Sequence, residues 1–128
     1  MSPFESETNP CPVVAVIGGA VSGSEAAVQL AKRGALVVVI EQNARPYGKI
    51  EDGLPRWHEK LRDQEYEKID ENLSHDRVCF VPCTSLGTDV TLDSLVNDLG
   101  FSAVVLANGA WRDRPVPIGG VDTLVGRG

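Results

Sequence analysis

Four short, almost wholly aliphatic runs set the pattern of this chain: Val13–Ile17, Leu36–Ile40, Val78–Val81 and Ala103–Ala107. Each is too short for a helix and shows no polar alternation, which predicts strands buried on both faces, as in a parallel sheet. Pro12 and the Gly18–Gly19 pair bound the first run. After it, Ala26, Ala27, Leu30 and Ala31 fall at helical spacing, so a helix should start near Val21–Ser22 and stop at Gly34, where glycine suits a left-handed cap. A second helix is expected from Pro55, placed in its first turn, to about Asn72. Trp57, Leu61, Ile69 and Leu73 would form its sparse apolar stripe, opposite a solvated face of Glu59, Lys60, Arg62, Asp63, Glu67 and Lys68. Thr91–Leu99 predicts a short helix capped by Thr91 and stopped at Gly100. The segment between Phe80 and Phe101 also leaves room for a small antiparallel excursion, which periodicity does not decide. Strands alternating with helices define an open, mostly parallel α/β sheet with right-handed crossover helices.

The chemistry is concentrated where the first run meets the first helix. Gly18-Gly19-Ala20-Val21-Ser22-Gly23 opens that helix, and Glu41 follows the second run, eighteen residues after Gly23. In such a unit Gly18 makes the tight turn and Gly23 lets helix and strand approach closely. The free N–H groups and the positive dipole end of the helix favour an anion without any basic side chain. A carboxylate at Glu41 accepts hydrogen bonds from ribose hydroxyls and repels a 2′-phosphate. The expected ligand is therefore the adenosine diphosphate part of FAD or NAD rather than NADP. Ala20 stands where the G-x-G-x-x-G motif has its second glycine. Its methyl group is expected to weaken binding or shift the phosphates. The plain alternative is an α/β unit with a structural glycine turn.

Composition narrows the field further. With 12 Lys and Arg against 18 Asp and Glu the formal charge is −6, with no basic run, which argues against nucleic acid and against a membrane surface. No apolar stretch approaches spanning length, and Met1–Pro10 lacks the regions of a signal peptide. The expected location is the cytoplasm, with Met1–Cys11 a disordered lead-in and residues 12–128 the domain. Cys11, Cys79 and Cys83 lack zinc spacing and are expected to be reduced, with Cys79 and Cys83 as buried thiols; no metal site is expected. His58 reads as an exposed helix residue and His75 as part of a polar loop. Asn72-Leu73-Ser74 matches a glycosylation sequon that carries no weight without secretion. Gln42–Pro55 is rich in turn formers and too long for a simple connector, and long loops at this edge of a sheet often carry function. Asn108-Gly109-Ala110 is a second place where small residues bring backbone close to a ligand. Arg112 and Arg114 either reach a phosphate or carboxylate or pair with Asp113 at the surface.

Several segments together resemble the N-terminal part of the FAD domain in FAD-dependent pyridine nucleotide oxidoreductases. They are most similar to the branch of adrenodoxin reductase and the glutamate synthase small subunit. The residues that carry the likeness are the glycine turn with Glu41, the loop from Pro46-Tyr47-Gly48 to Asp52-Gly53-Leu54-Pro55, and Phe80 through Thr84 to Gly87. Val104 to Ala110 and Pro117-Ile118-Gly119-Gly120 complete it, so the likeness spans roughly residues 12–122. The resemblance implies a Rossmann-like FAD/NAD(P)-binding domain, incomplete here. It places Gly18, Ala20 and Gly23 at the FAD diphosphate and Glu41 at the adenosine ribose, with Gly19, Ser22 and Gln42 also among the cofactor-binding residues. Gly48 and Lys49 fall on the flavin side of the cofactor, Thr84 near the adenine, and Ala107 and Gly109 at the strand end, with Asn108 in place of the family's threonine. The disulfide-reductase branch is disfavoured, because its redox cysteines follow the second strand and this loop has none.

In such enzymes hydride passes from a nicotinamide to the flavin, and the protein positions both. The resemblance thus implies electron transfer between NAD(P)H and an acceptor through FAD, with an iron–sulfur protein or a second subunit as partner. At 128 residues the chain is short for an enzyme that holds a dinucleotide and a substrate. It reads as a fragment or split subunit, inactive alone and with no catalytic acid or base to name. The competing reading is a stand-alone NAD- or FAD-binding module without chemistry, and the third is a domain that Ala20 has deprived of nucleotide binding.

Overall fold

A computed structural model describes residues 11–110, 112 and 114–126. The predicted lead-in over residues 1–10 and a pairing of Arg112 or Arg114 with Asp113 lie outside the described residues. The sheet has four strands, all parallel, in the order β3-β2-β1-β4, with β1 Val13–Ile17, β2 Leu36–Ile40, β3 Val78–Val81 and β4 Ala103–Leu106. The last strand ends one residue before the predicted bound, although Ala107 N–H still donates to the Ile17 carbonyl at 2.8 Å. Helix α1, Val21–Lys32, links β1 to β2. It ends as predicted: Gly34 takes φ +97° while its N–H and that of Ala35 return to the Ala31 and Leu30 carbonyls.

Strand alternation sorts the core into two faces. Val14, Val16, Val37 and Val39 point to one side, where Ala27 and Ala31 of α1 cover them and Leu73, Val78 and Phe80 pack alongside. Ala15, Ile17 and Ile40 point to the other, beneath Leu95, Leu86, Val90 and Phe101. That second cover is a loop with a short helical piece rather than an antiparallel excursion. Its π-helical turn, Ser94–Asp98, carries the fully buried Leu95 into the sheet. Thr91 caps it as predicted: Thr91 Oγ1 accepts the Ser94 N–H at 3.0 Å and Ser94 Oγ accepts the Thr91 N–H at 2.9 Å. Gly100, φ +71°, ends it.

Two expectations fail. Helix α3 runs Glu59–Leu73 and starts four residues beyond Pro55, because Pro55 heads a separate turn closed by the His58 N–H on its carbonyl at 3.1 Å. Arg62 Nη1 donates to the Leu54 carbonyl at 3.0 Å and holds that turn against the helix. As a result Trp57 is 79% exposed and Leu61 43%, so the apolar stripe is real only at its C-terminal end, where Ile69 is 1% exposed. The second failure concerns Cys79 and Cys83, which are exposed free thiols. Val78 and Phe80 take the helix-covered face, so alternation turns Cys79 to the opposite face of an edge strand, which the loop does not reach. Cys83 sits in the following turn at φ +54°. His58 is exposed at the start of α3, as expected.

Helix α2, Gly48–Gly53, lies within the long loop after β2 and is tied to α3. The Tyr47 hydroxyl donates to Asp70 Oδ1, and the Tyr47 ring meets Tyr66 edge-on at 4.8 Å. The Asp70 hydrogen bond, then burial, raises the Tyr47 hydroxyl above its ordinary pKa of 10.0. A raised folded-state value means the contact contributes in full below the unfolded pKa and is lost as pH rises through the folded one. Tyr47→Phe is expected to lower stability by about 1 kcal/mol at neutral pH. Urea melts should show that difference fading in strong alkali, and equal melts at neutral pH would remove the tether. At the seam of α1 and α3, Glu25 accepts hydrogen bonds from Gln29 and Asn72 with Lys68 at 3.8 Å. The Gln29 bond leads in holding this exposed carboxyl below its usual range.

Candidate functional site

The parallel register aligns Ile17 with Ile40 and Leu106, and Ile40 with Val81. The turns that follow the strands therefore share one edge of the sheet, and there they enclose a cleft of about 420 Å³. Gly18, Ala20, Ser22, Glu41, Gln42, Gly48, Lys49, Thr84, Ala107 and Gly109, all predicted from the sequence, line it. Gly19 and Gly23 do not, and each has a different task.

Gly23 sits where α1 presses on the turn: a Cβ there would lie 1.7 Å from the Gly18 carbonyl oxygen. Gly18 takes φ +99°, and its own Cβ would lie 2.6 Å from the Ala107 carbonyl oxygen. The two glycines let β1, α1 and the end of β4 meet at one point. Ala20 adopts φ −74°, an extended conformation open to any residue, so the departure from the glycine motif costs this backbone nothing. No side chain caps α1 and no acid stands in its first turn, while Ala20, Val21 and Ser22 line the cleft. The first amides of a helix have no intrahelical partner and carry the positive dipole end, which suits an anion at this wall.

Glu41 is 6% exposed at the end of β2. Its Oε2 accepts the Gly19 N–H at 2.8 Å, and its Oε1 accepts the Asn43 N–H at 3.1 Å and Asn43 Nδ2 at 3.3 Å. Backbone bonds fix the same residue: Glu41 N–H donates to the Val81 carbonyl and the Glu41 carbonyl accepts from Thr84 N–H, both at 2.9 Å. The acid thus joins the glycine turn, the β2 end and the turn after β3. Across the cleft Gly109 has φ +67°, and the position its Cβ would take is 3.4 Å from Lys49 Cε. Sequence reasoning missed Asn43 and the apolar lining of Ile17, Val21, Ile40, Pro46 and Leu86. The only trace of Asn43 in the sequence is an amide two residues beyond the acid.

Sheet order, glycine turn and buried acid define a Rossmann-like α/β unit. Over part of their length, known proteins are similar to this chain in sequence or in fold. The chain is 34% identical over 106 residues to the glutamate synthase [NADPH] small chain of Mycobacterium tuberculosis, covering 81% of this chain and 21% of the relative. Cindoxin reductase of Citrobacter braakii is 28% identical over 121 residues, 91% of this chain and 26% of that protein. Among solved structures, a point mutant of FprA from Mycobacterium tuberculosis superposes with a TM-score of 0.73 at 21% identity, over 88% of this chain and 26% of that one. No protein-family model matches the chain. The chain spans about a fifth to a quarter of the length of these curated relatives. Among the described residues, no helix is long and apolar enough to cross a membrane.

Proposed function

We propose that this chain is the nucleotide-binding portion of a flavin-dependent oxidoreductase that passes electrons between NAD(P)H and an acceptor through FAD. The observation that carries the reading is the buried Glu41 carboxylate, bonded to the glycine turn beside an uncapped helix start in one cleft. In this reading the α1 amides and Gly18 receive the diphosphate, and Glu41 receives the adenosine ribose. Thr84 and Gln42 border the adenine end. Lys49 and Gly109 stand toward the flavin, with Gly109 free of a side chain where the cofactor passes. FAD, when bound, supplies the redox chemistry. The residues of this chain orient it, satisfy its ribose and phosphates, and shield its adenosine end from water. The nicotinamide nucleotide and the acceptor, an iron–sulfur protein or a second subunit, would engage parts of the architecture beyond these residues.

The test is to incubate the purified chain with FAD, remove free cofactor and record the visible spectrum, with ADP titrated in parallel by calorimetry. Retained flavin bands, or ADP binding that FAD displaces, are expected. A folded protein that binds neither at millimolar concentration overturns the reading. Reversible NAD binding without flavin would replace it with a stand-alone binding module.

A further inference from the structure

The carboxylate of Glu41 is more fully occupied than a ribose acceptor needs to be. A carboxylate offers about four acceptor positions. Two on Oε1 are filled by the Asn43 N–H and Nδ2, and one on Oε2 by the Gly19 N–H. Asn43 is itself braced, since its carbonyl accepts the Cys83 N–H at 3.2 Å from the turn after β3. It also lines the cleft beside Glu41. We propose that Asn43 is the positioning residue of the acid: it holds Oε1, so that Glu41 reads a single ribose hydroxyl with the remaining acceptor position on Oε2.

The inference rests on the nucleotide reading above and deepens it by assigning the ribose selectivity to a pair of residues. A carboxylate held on one oxygen by two donors cannot turn to grip both hydroxyls. One hydroxyl then contributes a charge-assisted bond through Glu41, and the other gains nothing from the acid. Asn43→Asp replaces the Nδ2 donor with an anion facing Glu41 Oε1. Repulsion then drives Glu41 off its position while the backbone N–H of residue 43 stays in place.

The experiment compares ADP, 2′-deoxy-ADP and 3′-deoxy-ADP by calorimetry on the wild type, Asn43→Asp and Asn43→Ala, with thermal melts to verify folding. In the wild type one deoxy analogue is expected to bind about tenfold more weakly than ADP or worse. The other should stay within about threefold of ADP. Asn43→Asp should collapse the larger ratio toward unity, and Asn43→Ala should reduce it in part. A purely structural role for Asn43 would weaken all three ligands alike and leave the ratios unchanged, which overturns the proposal. Equal large losses for both analogues in the wild type overturn it too, because Glu41 would then grip both hydroxyls. A wild type that binds no ADP removes the nucleotide reading itself. Should Asn43→Asp fail to fold, the ratio in Asn43→Ala decides.

Discussion

Gly23→Ala is expected to dismantle the site and much of the fold with a single methyl group. The added carbon would lie 1.7 Å from the Gly18 carbonyl oxygen and 2.8 Å from its carbon, both backbone atoms that no rotamer change can move. Relief requires α1 to back away from the β1 turn, which uncovers Val14 and Val16 on the sheet face that α1 closes. Overpacking of this kind costs about 3 kcal/mol or more. For a domain near this size that corresponds to a melting temperature lower by at least about 10 °C. Gly34→Ala is the control: nothing lies within 4 Å of its Cβ, and only the positive φ of +97° opposes it. It should cost about 1 kcal/mol. A differential scanning fluorimetry run on both variants separates the two causes. Equal melting temperatures would show that the close approach at Gly23 does not bear on stability.

Glu41→Gln is expected to combine a moderate loss of stability with a large loss of ribose recognition. Three donors converge on the carboxylate, and a carboxamide can offer oxygen to only one side, so its NH2 must face either Gly19 or Asn43. Leaving such a buried donor unsatisfied costs about 1–3 kcal/mol. Losing a hydrogen bond to a charged acceptor lowers affinity for an unmodified adenosine ribose by roughly 10- to 100-fold. Glu41→Arg goes further: it should shift preference toward a 2′-phosphate, because the repelling charge is replaced by one that attracts it. Titrations of ADP and adenosine 2′,5′-bisphosphate against both variants measure the change. Selectivity equal to that of the wild type would detach Glu41 from the ribose.

The elements that position the cleft are the ones whose physics is local. Val13–Ile17 and Leu36–Ile40 are continuous apolar runs bounded by Pro12, Gly18 and Gly34, so strand, turn and helix stop can be read without tertiary information. Thr91 and Ser94 form a reciprocal cap within one turn, and that too is local. The start of α3 was not legible, because a proline fits both the first turn of a helix and the head of a separate turn. The choice fell to the Arg62 contact with Leu54, made across eight residues. The exposure of Cys79 depends on β3 being an edge strand, a property of sheet order rather than of the run itself. Asn43 was missed for a similar reason: its grip on Glu41 is braced by Cys83, forty residues further along the chain.

The shared rim of strand ends also divides the molecule's tolerance for change. The hydrogen-bonded interior of the sheet meets aliphatic side chains that substitute for one another at modest cost. The residues proposed to meet a ligand lie instead at or just beyond the strand ends, in turns and at the starts of α1 and α2. Altering the lining positions of the loops after β2 or β4 would therefore retune what is bound while the scaffold keeps its register, whereas the loop after β3 also carries Leu86, Val90 and Leu95 onto the sheet. The turn after β1 has no such latitude, because Gly18 and Gly23 make it part of the packing. Evolutionary drift of specificity in this unit should run through the strand ends of β2 and β4 and spare those of β1 and β3.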